Sequence, residues 1–259
     1  MAGRIRTERD GDIGWLVVDQ PEKRNAVSLE MWQAIPEAVR SLADGGARVV
    51  VLRGEGDEAF VAGADISQFE DERVGEGAER YDRATAAAHH AIEHLDVPTV
   101  AMIHGPCVGG GMALALSCDI RYCDTNARFT IPAARLGVGY HVAGTERLVQ
   151  VVGPSVAKEI LFSAKLFGAE HALRWGLVNE VLAPADLAAH VRDMAGRIAA
   201  NAPLTQRAVK LAVRDLTRHR DLADPASVDA AIQACRDSAD YREGVRAFME
   251  KRPPRFEGR

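Results

Sequence analysis

The feature that most constrains the fold is a glycine-rich connection between an apolar strand and an apolar helix. The sequence predicts a buried strand for VPTVAMI and a helix for the GGGMALALS that follows it. Three consecutive glycines where a helix begins leave backbone N–H groups without intrahelical partners, at the positive end of the helix dipole. This turn is therefore suited to bind negative charge. It lacks the lysine and the spacing of a P-loop, and the pattern G-x-G-x-x-G is also absent.

Strands and helices alternate over most of the chain. Strands are predicted for RVVVLR, DIRYCD and LVNEVL, and helices for LEMWQAIPEAVRSLAD, GPSVAKEILFSAK and AEHALRW. The alternation around Trp15 predicts a strand with one buried face. Ser28 is expected to cap the first helix, and Pro36 to kink or break it. This order of elements favours an α/β fold with largely parallel strand pairing.

The last part of the chain has helical periodicity. Apolar residues recur at steps of four, three and four residues, as on one face of a helix: Leu187, Val191, Met194 and Ile198. We expect an α/β core over residues 1–195 and a helical region over residues 196–259, in which Ser238 caps the last helix. The apolar stripes of this region need a partner surface, either the core or a neighbouring subunit.

Composition and charge argue against several classes of protein. The 259 residues are 47% apolar and 27% charged, which is ordinary for a globular domain. The formal charge of −5 gives no electrostatic basis for binding nucleic acid or an anionic membrane. Neither a signal peptide nor an apolar stretch of about 18 residues is present, so we expect a cytoplasmic protein without a membrane span. The four cysteines lack C-x-x-C spacing, and no histidine–carboxylate cluster indicates a metal site, so reduced thiols are expected.

Several segments together resemble the crotonase, or enoyl-CoA hydratase/isomerase, superfamily. The family signature is similar to VAMIHGPCVGGGMALALSCDI, its first oxyanion loop to AGADI and its early CoA-contact loop to PEKRNAVS. LGVGYHVAGTERL and AFMEKRPPRF are similar to later family segments, so the resemblance covers essentially the whole chain. It implies a spiral of ββα units and a C-terminal helical region that forms homotrimers or dimers of trimers.

The resemblance also implies the site residues. The backbone N–H groups of Ala64 and Gly110 would form an oxyanion hole for the enolate of an acyl-CoA thioester. Asp65 is expected to hold its loop by accepting backbone hydrogen bonds. Coenzyme A enters as part of the substrate, and no separate cofactor is implied. The residues implied to contact coenzyme A are Arg24, Ala26, Ala62, Asp65, Ile66, Phe248 and Lys251.

The chain departs from the family at two positions that matter for hydration. Hydratases of the family carry one glutamate three residues after the oxyanion glycine and another after the proline that follows the Cys-Asp step. This chain has Ala113 and Ala133 there. Hydration requires a carboxylate to activate water and an acid to protonate the α-carbon. Because a methyl group does neither, we expect poor hydratase activity.

Tyr140 and His141 are the candidates to replace the missing groups. Family members such as dienoyl-CoA isomerases place a catalytic aspartate where His141 stands, and histidine titrates near neutral pH. Methylmalonyl-CoA decarboxylases have a tyrosine matching Tyr140, but they carry a histidine where this chain has Ala64. We expect a decarboxylase- or isomerase-type reaction through a thioester enolate. The alternatives are a non-catalytic acyl-CoA-binding protein and a true hydratase with unusual acid/base residues.

Four other polar residues have ordinary structural interpretations. His104 is expected to be structural. His89 and His90, in the helix AAAHHAIEHL, are expected at the surface or in packing, with one of them facing the acyl pocket as the alternative. Arg135 is expected in a surface salt bridge, with contact to an acyl carboxylate as the alternative.

Overall fold

The computed structural model describes residues 3–65, 76–136, 140–217 and 225–259, apart from the side chains of some helical residues. The strands are β1 Arg4–Asp10, β2 Ile13–Asp19, β3 Val49–Gly54, β4 Thr99–Ile103, β5 Pro106–Val108, β6 Ile120–Asp124, β7 Arg128–Thr130, β8 Phe167–Gly168 and β9 Glu180–Leu182. The α-helices are α1 Leu29–Asp44, α2 Glu76–Glu93, α3 Gly110–Ser117, α4 Ala133–Leu136, α5 Val142–Ser163, α6 Ala169–Arg174, α7 Pro184–Ala200, α8 Pro203–Thr217, α9 Pro225–Asp237 and α10 Ala239–Glu250.

Two sheets organise the core. The larger sheet has the order β1-β2-β3-β4-β6-β9, and the smaller one has the order β5-β7-β8. Every pairing in the larger sheet is parallel except that of β1 with β2. The predicted α/β class and parallel pairing are confirmed. Since β4 belongs to the larger sheet and β5 to the smaller, the chain passes between the sheets immediately before α3.

Strand β2 is buried on both faces, whereas its alternation predicted one buried face. Leu16 packs in the cluster that includes α1, and Trp15 packs in a second cluster that includes α7. Helices therefore cover both sides of this strand, as is usual where parallel sheets are sandwiched between helices. Alternate side chains of β2 therefore point into two different apolar clusters, and both faces of the strand are apolar.

Helix α1 begins where the sequence predicts but is not interrupted by its proline. The Met31 N–H donates to Ser28 Oγ at 3.3 Å, which confirms the predicted cap. The helix continues through Pro36 to Asp44, so the predicted break is wrong. Proline removes one helical hydrogen bond, while the buried Ile35 and Val39 on either side hold this stretch against the core.

The C-terminal helices use the core as one partner surface. The α7 stripe packs on the larger sheet through Leu187 and Val191, which are buried among the strand side chains. The boundary expected at residue 195 falls inside α7, so the helix crosses it without a break. The division of the chain into 1–195 and 196–259 stays a prediction. Helix α8, by contrast, leaves an apolar row exposed: Val209, Val213 and Leu216.

Candidate active site

The first glycine-containing loop is fixed on both sides by backbone hydrogen bonds. Val61 N–H donates to Pro106 O at 3.1 Å, and Val108 N–H donates back to Val61 O at 3.0 Å, which aligns the loop with β5. On the other side, Val27 N–H donates to Gly63 O at 2.9 Å. The peptide of Ala64 is thereby held between two anchored neighbours.

The second loop turns the chain from β5 into helix α3. Gly109 has a φ of 50°, a left-handed conformation that favours glycine. Its N–H donates to Thr130 O at 2.8 Å. A Cβ added at Gly111 would lie 2.2 Å from Val61 O, so only glycine allows α3 to approach the first loop this closely.

These constraints bring the two candidate N–H groups together. A Cβ built on Gly110 would lie 3.9 Å from the backbone nitrogen of Ala64. No backbone hydrogen bond within the described ranges uses the N–H of Ala64 or of Gly110. Two adjacent N–H groups without protein acceptors, one of them at a helix N-terminus, can both donate to one bound oxygen.

The surroundings of this pair are apolar. A Cβ on Gly110 would lie 3.0 Å from Trp32 Cζ2, so the indole borders the site. Trp32 is 1% exposed, and its Nε1–H donates to the Tyr81 hydroxyl at 2.8 Å. Ala113 and Ala133 are both half-buried, and Ala133 is the first residue of α4. A dry surface strengthens hydrogen bonds from backbone donors to developing charge.

Tyr140 and His141 have opposite environments although they are neighbours in sequence. The Tyr140 hydroxyl is buried without a hydrogen-bond partner among the described residues, and burial raises the pKa of this phenol to about 12. His141 is exposed at the start of α5, and its Nε2 lies 3.3 Å from Asp82 Oδ1. An enclosed, protonated hydroxyl is therefore available at Tyr140, whereas His141 faces solvent beside a carboxylate.

The residues expected to contact coenzyme A lie partly together. Arg24 adopts a left-handed conformation with a φ of 51°, and its carbonyl accepts from Ala62 N–H at 3.0 Å. This contact joins the early loop to the first glycine-containing loop. Ala26 is buried in the same segment. Lys251 is exposed after α10, while Ile66 and the side chain of Phe248 lie outside the described residues.

Asp65 connects the same two loops through side chains. Its Oδ2 accepts from Lys23 Nζ at 2.6 Å and from Gln20 Nε2 at 3.1 Å. The sequence predicted backbone donors for this carboxylate, whereas these two contacts come from side chains. Asp65 N–H donates to Val27 O at 3.0 Å, so the residue still holds its own loop in place.

His89 lies inside the molecule next to α3, which fits the expectation of a role in packing, although the sequence did not decide between packing and the surface. Its Nδ1 lies 3.0 Å from Ser117 Oγ, and its ring packs 5.4 Å from the Trp32 ring, centroid to centroid. The sequence did contain a sign that His89 is buried, because the apolar residues Tyr81, Ala88 and Ile92 mark the buried face of α2 beside it. His90 is exposed, as expected.

The other polar candidates are a buried histidine, an exposed arginine and buried thiols. His104 is buried, and burial is the main cause that lowers the pKa of its ring. Arg135 is exposed on α4. Cys107, Cys118 and Cys123 are free and buried, and burial raises the pKa of Cys118 and of Cys123 to about 12. Such thiols are poor nucleophiles near neutral pH.

Among the described residues, no group of three histidine, cysteine or carboxylate side chains is placed to hold a metal ion. Within the same ranges, none of the helices combines the length and the apolar character needed to span a bilayer.

A large cavity of about 1020 Å³ lies between α5 and α8. Its described lining includes Ser117, Arg147 and Val213, but neither Ala64 nor Gly110. Volume alone therefore does not identify the candidate site. The closeness of the Ala64 and Gly110 amides, neither of which has a backbone acceptor within the described ranges, is the feature that marks the candidate site.

Comparison with known proteins supports the resemblance along the whole chain. The sequence model of the family described as enoyl-CoA hydratase/isomerase matches residues 8–259. A crotonyl-CoA hydratase from Syntrophomonas wolfei is 34% identical, over 97% of each chain. A carnitinyl-CoA dehydratase from Escherichia coli O157:H7 is 31% identical over the full length of both. The crystal structure of an enoyl-CoA hydratase/carnitine racemase from Magnetospirillum magneticum has a TM-score of 0.93 at 35% identity, covering 98% of this chain and 96% of that one.

Proposed function

Because the chain belongs to the enoyl-CoA hydratase/isomerase family and has the crotonase fold, we propose that its Ala64 and Gly110 amides bind the carbonyl oxygen of an acyl-CoA thioester. In this proposal the reaction passes through the thioester enolate and is of decarboxylase or isomerase type. The observation that carries it is the adjacency of two N–H groups without backbone acceptors: a Cβ built on Gly110 would lie 3.9 Å from Ala64 N.

Electrostatics explain why this pair favours an enolate over the ground-state thioester. The carbonyl oxygen gains negative charge when the enolate forms, so fixed donors interact more strongly with the intermediate than with the substrate. Removal of one such donor typically costs about 3 to 4 kcal/mol in an enzyme. The N-terminus of α3 adds its dipole at Gly110. Since backbone supplies both donors, small side chains at these positions are sufficient.

Slow hydration follows from the side chains next to the pair. Ala113 and Ala133 provide no carboxylate for water activation or proton return. Two carboxylates on the neighbouring α2 are already engaged, since Asp82 lies beside His141 and Glu93 forms an ion pair with Arg147. We propose that efficient hydration is not the activity of this chain.

Tyr140 is the better supported of the two candidate polar groups. Its buried hydroxyl has no hydrogen-bond partner among the described residues, and its raised pKa keeps the proton on the phenol at neutral pH. A neutral donor suits decarboxylation, because loss of CO₂ leaves its bonding electrons on the thioester as an enolate. Tyr140 would then orient the departing carboxylate or hydrogen-bond the intermediate. His141, exposed beside Asp82, has less support.

Two alternatives have observations in their favour. Relatives at 31–34% identity are named as a hydratase and a dehydratase, which favours a true hydratase with unusual acid/base residues. The alanines at positions 113 and 133 favour a non-catalytic acyl-CoA-binding protein.

Coenzyme A and the assembly belong to the same proposal. Arg24 and Ala26 are proposed to line the nucleotide site of coenzyme A, Ala62 and Asp65 to flank the pantetheine and adenine, and Lys251 to lie near the adenine or phosphates. No cofactor beyond the substrate is required. We also propose a cytoplasmic homotrimer or dimer of trimers. The apolar row on α8 supports an assembly, because it is largely exposed in the single chain. Sedimentation measurements test this part.

A panel of acyl-CoA esters followed by mass spectrometry tests the proposed reaction. Malonyl, methylmalonyl, enoyl and dienoyl esters are compared with crotonyl-CoA. We expect loss of CO₂ or double-bond migration in one class, reduced about 10²-fold by Tyr140→Phe. The exposed Tyr241→Phe serves as the control that retains activity, and loss of turnover in His141→Ala would assign the assisting role to His141 instead. Tight binding without any product would instead support the non-catalytic alternative, and rapid hydration of crotonyl-CoA the hydratase.

A further inference from the structure

The segment that follows β2 contains two consecutive non-glycine residues in the left-handed conformation. Arg24 has a φ of 51° and Asn25 a φ of 57°. This conformation is unfavourable for residues with a Cβ, and it persists only where the surrounding structure holds it. The proposed function gives a role to Arg24 but none to Asn25.

The side chain of Asn25 is buried, and both ends of its amide are hydrogen-bonded. Oδ1 accepts from Gln20 N–H at 3.0 Å. Nδ2 donates to Glu55 O at 2.9 Å and to Ala59 O at 2.7 Å, so both of its hydrogens are used. The backbone N–H of Asn25 also donates to Gln20 O at 2.8 Å. One side chain therefore joins the segment after β2 to the segment after β3.

The segment held by Asn25 in turn fixes the first glycine-containing loop. Val27 N–H donates to Gly63 O at 2.9 Å, and Asp65 N–H donates to Val27 O at 3.0 Å. Val27 also pairs with Ala64 in a parallel β-bridge. Since Val27 lies two residues after Asn25, the position of the Ala64 peptide depends on the conformation that Asn25 adopts.

Asn25 also holds the entry to the same loop. Ala59, which accepts from Asn25 Nδ2, lies five residues before Ala64 in the chain. A Cβ added at Gly54 would lie 2.6 Å from Asn25 Nδ2 and 2.3 Å from Ala59 O, so the packing leaves no room for the amide to shift. The Ala64 peptide is thus tied to Asn25 from both directions along the chain.

We infer that Asn25 is a positioning residue that holds the Ala64 amide where it can donate to a thioester oxygen. The inference rests on the proposed function, because it requires that amide to bind the thioester. Asn25 acts through Val27 on one side of the Ala64 peptide and through Ala59 on the other. Because Arg24 is held in the same turn, Asn25 also aligns the proposed nucleotide site with the proposed carbonyl site.

Two ligands that differ only at the carbonyl test the inference on the full-length protein. S-ethyl-CoA has a methylene group where acetyl-CoA has its carbonyl. Dissociation constants from calorimetry should show wild type preferring acetyl-CoA by about three- to tenfold, as expected for one or two hydrogen bonds. Asn25→Gly removes the side-chain amide but allows the left-handed conformation. It should weaken binding of both ligands and remove the preference for acetyl-CoA.

The infrared band of the bound carbonyl distinguishes positioning from a general loss of stability. Hydrogen bonds to the oxygen lower the stretching frequency of acetyl-CoA that is isotope-labelled at its carbonyl carbon. The band should shift in wild type and lie near its position for the free ligand in Asn25→Gly. Thr99→Val is the matched control, because the buried Thr99 Oγ1 donates to Asp119 Oδ2 at 2.9 Å where β4 begins, at the opposite end of that strand from the glycine-rich turn. That variant should lose stability but keep both the preference and the band shift.

The outcomes separate the inference from the proposed function. If wild type shows neither the preference nor the band shift, the proposed function fails and the inference fails with it. If wild type shows both and Asn25→Gly retains them, only the inference fails. Should the glycine variant not fold, Asn25→Asp decides in its place, because it keeps the acceptor for Gln20 N–H and turns a second oxygen toward the two carbonyls. If neither variant folds, Asn25 is required by the fold as a whole and the inference is overturned.

Discussion

The two ends of helix α3 present different kinds of polar group, backbone amides at one end and side chains at the other. At the N-terminus, the groups proposed to bind the thioester are backbone amides, and the side chains of Ala64 and Gly110 only have to be small. At the C-terminus, the polar groups are the side chains of His89 and Ser117, anchored to each other at 3.0 Å. A backbone site survives most side-chain substitutions, whereas a side-chain site changes with each one. The comparison suggests that thioester binding is the fixed property here and that reaction type and acyl preference are the variable ones.

The two ends of α3 also differ in how closely their atoms are packed. The N-terminal end tolerates no added atoms, because Gly111 faces Val61 O and Gly110 faces the Trp32 ring. The C-terminal end instead holds a polar ring in a desolvated position, which requires specific partners rather than close contact. Ala113 lies between the two ends, at the position where family hydratases carry a glutamate.

Restoration of the two glutamates should have the largest effect. Wild-type hydration of crotonyl-CoA is expected to be at least about 10³-fold slower than that of a good hydratase, since each acid–base group contributes about 10²–10⁴-fold. The double variant Ala113→Glu/Ala133→Glu should raise kcat for hydration by about 10²-fold or more if the backbone end is intact. Steady-state kinetics with crotonyl-CoA measure both values.

The same kinetic measurements can also contradict the expectation that the chain hydrates crotonyl-CoA slowly because it lacks the two glutamates. A wild-type kcat near or above about 10² s⁻¹, in the upper range of enzyme turnover numbers, would show that another group supplies the acid–base chemistry. No gain in the double variant would show that the pocket has diverged beyond the two carboxylates. The single variants indicate which position limits the rate.

Gly111→Ala should have the next largest effect, because it tests the tight packing at the N-terminal end. The added Cβ would meet Val61 O at 2.2 Å, so the first loop must move. We expect a loss of about 3 kcal/mol in the free energy of unfolding and weaker acetyl-CoA binding. Gly196→Ala on α7 is the matched control, because nothing lies within 4 Å of its added Cβ. That variant should gain roughly 0.4 to 1 kcal/mol in urea unfolding. Equal stabilities of the two variants would contradict the packing argument.

Much of the fold was accessible from sequence because its signals are local. Ser28 and Ser238 were predicted as helix caps, and each accepts the expected backbone hydrogen bond. Strand periodicity was less informative at β2, because residues of both parities there are buried in different clusters. Pro36 was misleading, since tertiary packing holds a helix that propensity alone would interrupt.

The candidate site was predictable only where backbone conformation requires particular residues. Glycines near residue 110 signal a close approach, and the structure places the Ala64 amide beside them. The environments of Tyr140 and His141 were not accessible, since adjacent residues in a loop carry no periodic signal of burial. His89 needed the contact between α2 and α3, which depends on packing far apart in sequence. Such side-chain positions follow from tertiary structure rather than from local pattern.

The smallest effect concerns His89, at the C-terminal end of α3, and the pH dependence of the free energy of unfolding. The ordinary pKa of histidine is about 6.5 in the unfolded chain, and burial lowers the pKa of His89 to about 3 in the folded protein. Between these values the unfolded chain binds a proton that the folded protein does not, so stability falls as pH falls. The slope from this residue is about 1.4 kcal/mol per pH unit, or about 2 kcal/mol between pH 6 and pH 4.5. In urea unfolding, wild type should therefore lose stability relative to His89→Phe as the pH falls from 6 to 4.5, while His90→Phe keeps the wild-type dependence. A constant difference between wild type and His89→Phe across this range would mean that the ring takes up its proton in the folded protein as readily as in the unfolded chain, and that burial does not keep it neutral.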